Sequence, residues 1–99
     1  MTFDQFLASI NDNQPNTNLN VYGRALWYDA KGEWQMAHDL VDGIAGVEAA
    51  WVHAYLHRKE GDQWNADYWY RRANRVRPNQ SLDEEWADIS EALLETSDK

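Results

Sequence analysis

Cysteine is absent from the 99 residues, which removes disulfides, thiolate metal sites and thiol catalysis together. Proline occurs only at Pro15 and Pro78. No apolar run approaches the length that crosses a bilayer, so no membrane association is expected. The opening residues MTFDQFLASIND hold acids and no base, unlike a secretory leader, and a cytoplasmic protein is the expectation. Basic residues are few: nine Lys and Arg stand against 17 Asp and Glu, for a net charge of −8. That balance argues against a nucleic-acid binder, whose footprint is a basic surface. Convincing period-two alternation is missing, so no sheet is expected. Also missing are a G-x-S-x-G elbow, a phosphate loop and a dinucleotide fingerprint. Ser9, Ser81, Ser90 and Ser97 sit apart from any histidine, which gives nucleophilic catalysis no support.

What is present is aromatic and helical. A chain of this length forms one domain, 1–99, with a modest core. Its six Trp, five Tyr and two Phe must carry much of the packing. Thr2 and Gln5 make a capping-box pattern ahead of Phe3, Phe6, Leu7 and Ile10, which predicts a short first helix. The Asn-rich stretch 11–20 with Pro15 reads as a loop. A second helix is expected over 19–30, ended by Lys31–Gly32, and a third over 33–42. A fourth follows over 47–59, stopped by Gly61, and a fifth over 62–76, closed by Pro78. Ser81 and Glu84 repeat the capping box ahead of Leu82, Trp86, Ile89 and Leu93, so 81–96 forms a terminal capping helix. The fold class is all-α, with about six helices.

Small residues recur around the glycines. Ala54 lies seven positions before Gly61, and Ala66, Ala73 and Pro78 follow it. A partial copy, Ala25, Gly32 and Ala37, lies 29 positions upstream, counted from Ala25 to Ala54. With Tyr70 and Tyr28, these residues resemble the tetratricopeptide repeat. There, small residues let the two helices of a hairpin approach, a Gly breaks the pair and a Pro ends the unit. In the upstream copy Ile44 and Ala49 replace the later Ala and Pro, which shortens its second helix. The string YWYRRA is similar to Sel-type repeats of the same class. The block HAYLHRKEGDQWNADYWYRRA resembles a motif of small proteins that carry no assigned activity. The resemblance implies two helical hairpins, 19–45 and 47–78, flanked by capping helices. It also implies binding of a protein or peptide, with no catalytic residues to carry over. Two repeats bury little, so the terminal helices would cover the open ends, or a homodimer would.

First helices of such hairpins line the concave surface. On this basis Tyr22, Asp29, Trp51, Tyr55, Arg58 and Lys59 are the candidate partner-binding residues, with core packing the competing role for each aromatic. A second candidate site is chemical. His53, His57 and Glu60 fall at i, i+4 and i+7 of the fourth helix, on one stripe. Two neutral imidazoles and a carboxylate so spaced can converge on a cation, with His38 from the preceding helix as a further ligand. Buried imidazoles satisfied by neighbouring side chains account for the same spacing, so metal binding and core packing both stay open. Otherwise no cofactor is expected.

Six of the nine basic residues fall between Arg58 and Arg77, and seven acids follow Ser81. The acidic last helix is therefore expected to neutralise the basic one within the molecule. Arg71, Arg72, Arg75 and Arg77 suit a helix C-terminus. Trp69 and Tyr70 share a stripe with Ala66 and Ala73, which makes them core rather than base-stacking residues. Glu84, Glu85 and Asp88 read as a solvated helix face.

Overall fold

The computed structural model describes residues 1–96. Its six helices are α1 (Phe3–Ser9), α2 (Val21–Ala30), α3 (Trp34–Val41), α4 (Val47–Lys59), α5 (Gln63–Arg72) and α6 (Leu82–Leu93). No strand occurs among the described residues, and no helix there is long and apolar enough to cross a membrane. The chain is all-α.

Local chemistry sets several of the boundaries. Both expected capping boxes form: Thr2 with Gln5 starts α1 and Ser81 with Glu84 starts α6. At Gly32 and Gly61 the chain turns left-handed, at φ +83° and +91°. Each turn closes with an amide reaching back five residues, Glu33 to Tyr28 and Asp62 to His57. This is the six-to-one bond of a Schellman ending, which satisfies carbonyls that the helix leaves free. The fifth helix stops at Arg72, four residues short of the expected Val76. Asn74 takes φ +61°, and the Arg75 amide bonds the Tyr70 carbonyl at 2.8 Å. Asparagine tolerates that conformation, so the same closure forms without glycine and well before Pro78.

Helix α2 pairs with α3 and α4 with α5, while α3 also packs on α4. Ala25, Ala37, Ala54 and Ala66 are all fully buried; their small side chains permit close helix approach. Helix α6, expected as a terminal cap, lies against both α2 and α4, and so crosses the face that the hairpins would otherwise present. Asn20 fixes this arrangement. Its side-chain oxygen accepts the Gly23 amide at 2.7 Å, capping α2. Its amide group donates to the carbonyls of Leu93 and Thr96, both at 2.7 Å, at the end of α6. Aromatics fill the remaining space with their polar atoms satisfied, as buried indoles require. Phe6 stacks on Trp86 at 5.5 Å, Trp86 donates to the Leu26 carbonyl at 3.1 Å, and Trp27 donates to Ser9 at 2.9 Å.

Candidate metal centre

The i, i+4 spacing on α4 places His53 and His57 one turn apart, with rings parallel at 5.3 Å and 11°. Helix α3 packs on α4 and brings His38 to them edge-on, at 4.6 Å from His53 and 5.3 Å from His57. The Nε2 atoms of His38 and His53 are 2.9 Å apart, a hydrogen bond in which one ring donates and the other accepts. One ring nitrogen from each of the three histidines lies within 4.8 Å of the other two.

Two tryptophans enclose the cluster. Trp34 stacks on His38 at 5.0 Å and meets His57 edge-on at 5.8 Å, held by its indole bond to the Leu56 carbonyl at 2.8 Å. Trp69 from α5 lies flat against His53 at 4.0 Å and 12°, and its ring carries the Arg72 guanidinium at 5.4 Å. The His53 side chain is only 3% exposed, whereas that of His38 is 19% exposed. His38 is therefore the ring of the cluster nearest to solvent.

Proton positions follow from the partners. Glu60 Oε2 sits 2.7 Å from His57 Nδ1, so Nδ1–H donates to the carboxylate and Nε2 is the ring atom left to hold a cation. At His53, burial foremost and then the two neighbouring imidazoles hold the pKa down to about 4, against a raising pull from Asp42. This ring is neutral at pH 7. His38 Nδ1 is the one buried side-chain nitrogen or oxygen without a hydrogen-bond partner among the described residues. Such an atom costs about 1–3 kcal/mol, whichever tautomer is present.

Imidazole nitrogens, an anchoring carboxylate on the outer nitrogen of one ring, and no thiolate form a donor set suited to Zn, Cu, Ni or Fe. Tetrahedral zinc, with bonds of about 2.05 Å, needs ligand nitrogens about 3.3 Å apart. The 2.9 Å contact between His38 and His53 would have to open by only about 0.4 Å to reach that spacing.

The other set of expected site residues is placed differently. Tyr22, Asp29, Trp51 and Tyr55 are buried, so the aromatics proposed for a concave surface belong to the interior. The reason is α6, which occupies that face. Asp29 accepts from Tyr55 Oη at 3.1 Å and from Lys59 Nζ at 3.0 Å. Burial, and then Asp29 beside it, raise the Tyr55 phenol far above its ordinary pKa. Arg58 reaches Glu85 Oε1 at 2.8 Å and the Gln80 carbonyl.

Glu85 corrects the expectation of a solvated acidic face on α6. It is 1% exposed, takes the Tyr70 hydroxyl at 2.6–2.7 Å and receives the Trp51 indole at 3.3 Å. Its position one turn from Leu82 and Ile89, at the edge of the apolar stripe, was the available signal. Trp34 and Asp42 also escaped the sequence reading, because only the packing of α3 on α4 gives them a place at the cluster. Asp42 Oδ1 lies 4.0 Å from His53 Nε2. No protein family matches the chain, and no curated protein or solved structure does.

Proposed function

We propose that this chain binds a divalent first-row transition-metal ion through one ring nitrogen each of His38, His53 and His57. The reading rests on one observation above all: three imidazoles from two helices converge within 4.8 Å. Glu60 supports it by orienting His57 from the outer nitrogen, at 2.7 Å, the arrangement that sets tautomer and basicity in histidine metal sites. The neutral state of His53 supports it too, since a metal then displaces no proton from that ring at pH 7. An ion at this point would join the α2/α3 hairpin to the α4/α5 hairpin.

Titration of protein purified without a histidine tag tests the reading. With free Zn²⁺ at 100 times its dissociation constant, the folded state gains about 2.7 kcal/mol. For a domain of this size that raises Tm by roughly 10–20 °C. His53→Phe should abolish the gain. A wild-type Tm indifferent to Zn²⁺, Ni²⁺, Cu²⁺ and Co²⁺ alike removes the reading.

A second reading, protein binding, is favoured by a separate feature on the outer side of α5. Trp64 is 79% exposed, and Tyr68, one turn on, carries Arg72 over its ring at 5.7 Å. Exposed Trp, Tyr and Arg are typical of binding hot spots. The simplest partner is a second copy, and light scattering tests it. A monomeric mass independent of concentration eliminates that partner.

A further inference from the structure

Resting on the metal-binding reading above, we infer that Asp42 supplies the fourth ligand and so closes the coordination sphere. The argument begins with spacing. His38 and Asp42 are four residues apart at the end of α3, and His53 and His57 are four apart on α4. Two such pairs on packed neighbouring helices set four donor groups around one place, three of them already converged within 4.8 Å and Asp42 at its edge. His53 Nε2 is the shared contact: it meets His38 Nε2 at 2.9 Å and Asp42 Oδ1 at 4.0 Å.

The other carboxylates near the cluster are otherwise engaged. Glu60 Oε2 is held by His57 Nδ1 at 2.7 Å. Asp39 Oδ1 faces the outer nitrogen of His38 at 3.8 Å and receives Gln35 Nε2 at 2.9 Å. Asp42 takes no side-chain hydrogen bond among the described residues, and its side chain is 63% exposed. Its backbone is fixed, with the amide bonded to the His38 carbonyl at 2.9 Å, while the carboxylate is free to rotate. Tetrahedral coordination asks for donors about 3.3 Å apart, so the carboxylate must close on His53 by about 0.7 Å from its present 4.0 Å and swing further to meet the other two rings, whose 4.8 Å cluster it stands outside.

Charge agrees with this assignment. A dication with three neutral imidazoles and one carboxylate keeps one positive charge, and Glu60 on His57 offsets it. Four protein ligands leave no open position for water, the hallmark of a structural rather than a catalytic zinc site. The ion's task would then be to lock α3 against α4.

The test measures Zn²⁺ affinity by chelator competition on full-length wild type, Asp42→Asn and Asp42→His. Co²⁺ absorption of each reports coordination number. Asp42→Asn should weaken binding at least about tenfold, the size of effect that removal of even an outer partner produces. Asp42→His, which restores a ligand but not the negative charge, should recover most of that loss and keep the intense bands of four-coordinate Co²⁺. Equal affinity of wild type and Asp42→Asn overturns the Asp42 assignment and leaves three-histidine binding standing. Loss in both variants alike also overturns it, because charge alone then explains the effect. Failure of the wild type to bind overturns the metal reading and this inference together. Urea melts of the apo proteins check that all three fold, as expected for substitutions at an exposed side chain.

Discussion

Lowering the pH from 7.5 to 4.5 should destabilise this protein through His53 specifically. The folded-state pKa of that ring is held at about 4, whereas in the unfolded chain it returns to about 6.5. Between those values the unfolded state binds the extra proton, so stability is complete above pH 6.5 and falls as pH drops toward 4. Evaluating the two titration curves at pH 4.5 gives a loss of about 2–3 kcal/mol relative to pH 7.5. The cause is geometric. A proton on His53 would be buried between Trp69 at 4.0 Å and two further imidazoles, with only Asp42 to favour it. Urea unfolding of metal-free wild type and His53→Phe at several pH values isolates the effect, because acids and other histidines titrate in both. The wild type should lose about 2–3 kcal/mol more than the variant across that range. Parallel pH profiles for the two proteins would refute the reasoning and show that His53 accepts a proton in place.

Glu85→Ala strands the Arg58 guanidinium, the Tyr70 hydroxyl and the Trp51 indole around a cavity. It should cost about 3–5 kcal/mol in urea unfolding, as breaking a buried pair does, and a loss under about 1 kcal/mol would contradict that account. Asn74→Ala should cost about 1–2 kcal/mol, because a Cβ without a locally bonding side chain is strained at positive φ, while Asn74→Gly should cost none of this. If Ala and Gly behave alike there, the left-handed ending of α5 is not what stops the helix. Asn20→Asp keeps the cap on α2 but sets a carboxylate against the carbonyls of Leu93 and Thr96. It should therefore be less stable than Asn20→Ser by about 1–3 kcal/mol, and thermal melts of the two rank them directly.

The helices were legible wherever a boundary depends on nearby residues. Gly32 and Gly61 announce left-handed turns, and Thr2 with Gln5 and Ser81 with Glu84 announce starts, since each signal acts within one turn of the residue that carries it. Asn74 makes the same closure, but asparagine is a weaker signal of it than glycine because it takes that conformation less often. Long-range placement was far less legible. That α6 would settle on α2 and α4 is recorded in no local pattern, and with it went the burial of Tyr22, Trp51, Tyr55 and Glu85. The candidate centre fell between these cases. The stripe of His53, His57 and Glu60 is written in the spacing of α4. The arrival of His38, the flanking indoles of Trp34 and Trp69, and the approach of Asp42 depend on how α3 seats, which is a property of the assembled core.

Asn20 joins positions more than 70 residues apart in the chain: one side chain ends α6 and begins α2. During synthesis, the cap on α2 can form at once, but its latch onto α6 engages only after residues 93–96 emerge, more than 70 positions later. Until then, the surface later covered by α6 stays wet and sticky. The nascent hairpins are consequently most vulnerable in the interval before α6 emerges, when α2 to α5 exist and their lid does not.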